Sequence, residues 1–242
     1  MNSKSYKKIV PIVCAIGVIL FAFNNCSKGT SESGSTDSAS LAQTATGCYL
    51  ADQSLRSPKT MDDVTKLINA LPKPLTIPCL IENLPAPLKV FSMQSSFSAQ
   101  PSQSADTPRV FIVINKMVLS VVPTGSGRNL LEMSQIYDST LSVKTEVSFP
   151  VTSSILASAP YERIRSGSGT SCRSCHTSEL QVSGFAGTAF ASTTLRPDSN
   201  RRIPVTDSQS AARSCNMASD PDRCKMMRAI FITGNAQDTT FP

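Results

Sequence analysis

Val110-Phe111-Ile112-Val113-Ile114-Asn115-Lys116-Met117-Val118-Leu119-Ser120-Val121-Val122 is the stretch that decides the fold. Its first five residues are β-branched or aromatic, types that fit the pleated, half-buried surface of a sheet. Asn115-Lys116 offers a two-residue turn, a weaker signal than Asn-Gly but in the right place. Residues 117–122 then return with the same character. Two extended runs joined by so short a link pair antiparallel as a hairpin.

The pattern continues outward on both sides. Residues 90–93 form a short run before the hairpin. After it, residues 123–127 make a Pro/Gly loop, and residues 130–137 and 141–149 read as two further strands, with Val143, Val147 and Phe149 at alternating positions. The expected unit is antiparallel, of about four to six strands, with its acids and hydroxyls on solvated edges and nothing catalytic among them. A helix precedes it: Thr60 can cap the backbone, Asp63 stands at the third helical position, and Met61, Val64, Leu67, Ile68 and Leu71 share one face. Pro72 and Pro74 stop that helix.

Beyond a Ser/Gly run at 166–171 the chain is loop-rich to Pro204 and then helical again. Thr206 or Asp207 can cap a helix ending at Ser214. Asp220 can cap a second one, with Pro221 at its first position, Gly234 past its last turn, and Cys224, Met227, Ile230 and Phe231 along one side. The fold class is α+β: a small antiparallel β unit preceded by a helix, then a loop-rich C-terminal segment ending in a helical hairpin. The expected divisions are 1–25, 26–46, 47–165 and 166–242.

The chain opens with Lys4, Lys7 and Lys8 and runs apolar over residues 9–23, broken only by Pro11 and Gly17. A basic stub before a short apolar stretch has the form of a secretory signal. Those residues span only about 22 Å as a helix, short of the roughly 30 Å hydrocarbon core. Phe23-Asn24-Asn25-Cys26 follows, then a Ser/Thr/Gly/Ala-rich stretch to Thr46. This order resembles a bacterial lipoprotein signal, in which Cys26 is diacylated and becomes the new N-terminus; Asn25 stands where that family has a small residue. Ordinary cleaved secretion and an uncleaved anchor are the alternatives. The resemblance implies membrane attachment through lipid on Cys26 and a tether over 26–46 too polar to bury a core. It also implies a cell-envelope location facing the periplasm or the outside, and Ser27 after the cysteine favours the outer membrane. Cleavage would remove three of the 23 basic residues and none of the 17 acidic ones, leaving a net charge of +3. So mild a charge, with no basic cluster or interleaved aromatics, excludes nucleic acid as a partner.

Of the eight cysteines, Cys14 leaves with the signal and Cys26 takes lipid. The remaining even number suggests pairing in an oxidising compartment. The simplest assignment joins Cys48 to Cys79 and Cys215 to Cys224, leaving Cys172 and Cys175; connectivity does not follow from sequence alone. Cys172-Arg173-Ser174-Cys175-His176 has Cys-x-x-Cys-His form, and His176 is the only histidine. A shuffled chain of this composition would contain the motif with a chance of about one in a thousand. Two thiols three positions apart fall on one side of a helical turn, with the imidazole next to them. A thioredoxin-type redox pair expects instead a strand-to-helix junction in a βαβ unit. A structural zinc site needs a fourth ligand, for which Cys215 or Cys224 would serve. A plain local disulfide leaves His176 without a task.

The motif resembles the haem-attachment site of c-type cytochromes. That resemblance implies one covalent haem c, held by Cys172 and Cys175 through the porphyrin's two vinyl groups, with His176 as proximal iron ligand. It covers the motif and, loosely, the residues after it, where 223–229 and Gly234 look like a cytochrome-like tail. Small single-haem cytochromes place the motif at the end of an N-terminal helix; here it follows a loop, so their fold is not implied. The layout is also similar to proteobacterial envelope proteins that pair a β-rich region with a C-terminal Cys-x-x-Cys-His segment. With one histidine, bis-histidine ligation within one molecule is excluded. Met217, Met226 and Met227, which lie 41, 50 and 51 residues beyond His176, are the distal candidates, one at most. The expected function is electron transfer by a membrane-anchored, single-haem lipoprotein to an envelope redox partner. No acid–base pair or nucleophile constellation points to substrate catalysis. The alternative is a disulfide-stabilised envelope binding or structural lipoprotein without cofactor.

Overall fold

A computed structural model describes residues 42–44, 46–96 and 98–242. The expected signal at 1–25, Cys26 and the expected tether as far as residue 41 lie outside the described residues. Five strands follow one another as antiparallel neighbours: β1 (Lys89–Met93), β2 (Arg109–Ile114), β3 (Met117–Val121), β4 (Leu130–Ile136) and β5 (Leu141–Ser148). The hairpin at their centre closes as its sequence requires. Asn115 takes a left-handed φ of 55°, and Ile114 pairs with Met117 across the two-residue link.

Helix α1 (Met61–Ala70) starts on a capping box. Thr60 Oγ1 accepts from the Asp63 amide at 3.1 Å, and Asp63 Oδ2 accepts from the Thr60 amide at 3.2 Å. Its apolar face buries Met61, Val64, Leu67 and Ile68. A short helix, α2 (Ile77–Ile81), follows, and the Cys48–Cys79 disulfide fastens it to the incoming chain. Another, α3 (Ala159–Arg163), packs beside β5 and sends the Tyr161 hydroxyl to Asp62 of α1 at 2.7 Å.

The C-terminal segment, expected over residues 166–242, adds strands to the same sheet, and the described residues from 42 to 242 fall in one compact unit. A small hairpin, β6 (Arg165–Ser166) and β7 (Gly169–Thr170), leads into the cysteine motif. Then β8 (Leu180–Val182) and β9 (Ala189–Thr193) extend the sheet beyond β5. Strands β10 (Arg202–Ile203) and β11 (Gln237–Asp238) share the outer edge of β1, β10 antiparallel beside Ser92 and Met93, β11 parallel beside Lys89 and Val90. Among the described residues the sheet thus has nine strands rather than four to six. The added strands are two to five residues long, too short to show a period in sequence.

The helical hairpin is formed by α4 (Val205–Ser214) and α5 (Pro221–Arg228), tied by the Cys215–Cys224 disulfide. Asp220 caps α5 as expected, while α4 begins at Val205 with Thr206 and Asp207 already inside its first turn. A π-helical turn (Ala229–Thr233) continues from α5, and Gly234 ends it at φ −70°, so its value is space and not left-handed freedom. A Cβ there would come 2.6 Å from the Ile230 carbonyl oxygen and would run into Leu88.

One face of the sheet supplies the core. Val110, Ile112, Leu119, Val121, Leu131 and Val143 alternate toward it and pack with Leu67, Ile68, Leu80, Ile230 and Phe231 of the helices. The other face carries the site. No helix among the described residues is long and apolar enough to cross a membrane.

Candidate functional site

Strand alternation decides what the second face presents. With Val110, Leu119, Met133 and Val143 committed to the core, their neighbours Arg109, Phe111, Ser120, Glu132 and Lys144 point the opposite way. They form the floor of a groove of about 560 Å³, which falls in the usual small-molecule range of about 300–1,000 Å³. The Cys172–His176 turn and residues 194–198 wall it, and Met93, Leu195 and Phe241 add apolar lining.

The motif is one tight turn. The Cys172 carbonyl accepts from the Cys175 amide at 3.1 Å and from the His176 amide at 2.9 Å. Thr170 Oγ1 caps it, accepting from the Cys172 amide at 3.2 Å, and the Glu179 carboxylate in turn accepts from the Thr170 amide at 2.9 Å and from its hydroxyl. Glu179 therefore reaches back across the motif and fixes its entry.

His176 is fixed from the other side. Its Nδ1 lies 2.8 Å from the Thr193 carbonyl oxygen at the end of β9. A carbonyl can only accept, so Nδ1 carries the proton and Nε2 keeps its lone pair. Burial holds the imidazole pKa below its usual value, and the nearby positive charges of Lys144 and Arg109 add to that, against the Thr193 hydrogen bond. The ring is neutral near pH 7, the form that ligates metals. Cys172 is half-buried and Cys175 exposed; they are the two unbridged cysteines among the described residues. Burial pushes the Cys172 thiol up to about 11.

The floor's charges are mostly matched. Arg109 pairs with Glu132 and donates from Nε to Ser120 Oγ at 2.9 Å. Burial nevertheless raises Glu132 above the ordinary carboxylate range, outweighing the arginine. Glu146 is raised by burial and by the charge of Glu132, against Arg163 on α3 at 3.7 Å. Lys144 has no carboxylate partner among the described residues. Its Nζ donates to Ser192 Oγ at 2.9 Å, Ser142 Oγ at 3.0 Å and the carbonyls of Ser142, Ser192 and Thr193 at 3.2–3.4 Å. Burial lowers its pKa to about 8.

The methionines are placed differently from the cysteine motif. Met217 and Met226 line a separate cavity of about 610 Å³ beside the Cys48–Cys79 bridge, and Met227 is fully buried in the core. None of the three lines the groove holding His176; Met93 does. Met93 shares the groove face of β1 with Phe91, a parity visible in the sequence once β1 is recognised. The charged floor is not expected from the sequence: Glu132 and Glu146 fall among the acids expected on solvated edges, yet they share one half-buried face with Lys144 and Arg109. Their common parity within β4 and β5 was the available signal.

Chemically, the turn offers two thiols and one imidazole nitrogen on a half-buried rim above a polar floor. A raised Cys172 thiol is the opposite of the activated thiolate that dithiol exchange requires. No three His, Cys, Asp or Glu side chains among the described residues converge as a site for a bare metal ion. The chain matches no family model, no curated protein and no solved structure.

Proposed function

We propose that this chain is an envelope lipoprotein carrying one covalent haem c on Cys172, Cys175 and His176, and that it passes electrons to a redox partner at the membrane surface. The observation that carries the proposal is the state of His176. Its Nδ1 is committed to the Thr193 carbonyl, its Nε2 is free, and it stands in the same turn as two cysteines left unbridged while Cys48, Cys79, Cys215 and Cys224 are all paired. A backbone acceptor on the far nitrogen is the usual support of a metal-bound histidine, fixing ring orientation and raising basicity.

The residues present fit the group at its attachment edge. Cys172 and Cys175 would each form a thioether to a vinyl carbon, and His176 Nε2 would bind the iron. The group would supply one-electron chemistry; the protein would hold it and keep the imidazole neutral. Cys175 is exposed, so a partner can reach the attachment edge without crossing protein. Lipid on Cys26 and a polar stretch to residue 46 would keep the unit at the membrane surface.

One observation favours the second reading, a binding lipoprotein without cofactor: the groove floor is charged, whereas a porphyrin face prefers apolar contact. A haem stain on a denaturing gel separates the two. Full-length protein made in a host with c-haem maturation is expected to stain, and Cys175→Ala to lose the stain. An unstained, exported wild type would overturn the haem proposal and leave the cofactor-free one.

A further inference from the structure

Three of the floor's charges have opposite partners: Arg109 and Glu132 pair with each other, and Glu146 faces Arg163. Glu179 is engaged by Thr170. Lys144 is the exception, a half-buried cation whose three N–H donors are shared among five neutral oxygens. Charges removed from water are ordinarily matched by an opposite charge. The Ser142 hydroxyl accepts from Lys144 and has no other partner among the described residues, so its own proton is free to be donated. Next to Thr193, the buried Thr194 Oγ1 has no partner either, and Ser142, Lys144 and Thr194 all line the groove.

We propose that Lys144, Ser142 and Thr194 form a seat for one carboxylate group. An ammonium that gives up its longest contact, 3.4 Å to the Thr193 carbonyl, and two hydroxyl donors match the two oxygens of a singly charged carboxylate. A dianion such as phosphate is disfavoured because Glu132 and Glu146 stand on the same face. Two sources carry this chemistry. One is a propionate arm of the haem, which rests on the function proposed above. The other is a free carboxylic acid entering the groove, which does not.

The test is an acetate titration of the full-length chain at constant ionic strength, followed by the amide resonances of Thr193 and Thr194. It is run on protein from a host lacking c-haem maturation and on protein from a host that has it. In the haem-free chain acetate is expected to bind saturably, about tenfold more weakly in Lys144→Met, and near wild type in Lys144→Arg. Thr194→Val, which keeps shape and charge, is expected to weaken it several-fold, so the test does not depend on Lys144→Met folding. In haem-carrying protein, loss of acetate binding assigns the seat to the propionate, and retained binding assigns it to a free carboxylate. The proposal is overturned if haem-free wild type shows no saturable shift, or if Lys144→Met and Thr194→Val titrate like wild type. A chain that takes no haem from either host removes the propionate source alone, and the acetate result then decides the seat.

Discussion

Lys144 links the charge of the groove to the stability of the fold. Below about pH 8 the lysine is protonated in folded and unfolded chains alike, and the folded state bears the full cost of its burial. Between that value and the ordinary 10.5 the folded protein has released the proton and the unfolded chain has not. Stability from this group therefore rises with pH across that window. Urea midpoints of haem-free wild type and Lys144→Met at pH 7 and pH 10 check this: the wild type is expected to gain on the variant, and a constant gap would contradict it. At Gly234 the constraint is steric, since a methyl group meets the Ile230 carbonyl and Leu88. Gly234→Ala is expected to cost about 1–3 kcal/mol, read from the same midpoints. The legibility of these residues differs for a physical reason. The Cys172–His176 turn could be read because its five residues are contiguous. Lys144, Glu132 and Arg109 come from three strands, and alternation gives each strand's parity without saying which parity faces the helices.

Helix α1 and the strands β2 to β5 were legible because each carries its own signal: a capping box, an apolar face at helical spacing, β-branched runs and a two-residue link. The short strands β8 to β11 were not. They are strands only because β1 and β5 offer them open edges, and nothing local distinguishes them from loop. The two disulfides act at this scale as well. Cys48–Cys79 closes a separation of 31 residues and Cys215–Cys224 one of 9. Chain entropy makes the longer loop worth about 3–4 kcal/mol and the shorter about 2–3 kcal/mol. Removing Cys48 and Cys79 together is expected to lower the urea midpoint more than removing Cys215 and Cys224. The reverse order would mean that the hairpin of α4 and α5 contributes beyond loop closure.

At the scale of the whole molecule, the residues expected to form a separate haem-binding segment complete the sheet on both sides. Strand β9 covers part of β5, and β10 and β11 cover β1, while α4 and α5 close the core. Residues 42–242 are therefore expected to unfold in one cooperative transition, with coincident midpoints by far-UV circular dichroism and by tyrosine fluorescence. Separate transitions would instead mark a boundary at 165/166. The same integration holds the cysteine motif: Thr193, which fixes His176, belongs to β9, and β9 is held in place by β5. The measurement closest to the central claim is the intact mass of full-length protein from a host with c-haem maturation. The account predicts a gain of one haem that survives denaturation and disappears in Cys172→Ala/Cys175→Ala. A haem-free mass two hydrogens below that of the chain with its two other disulfides, with peptide mapping placing a Cys172–Cys175 bridge, would contradict it.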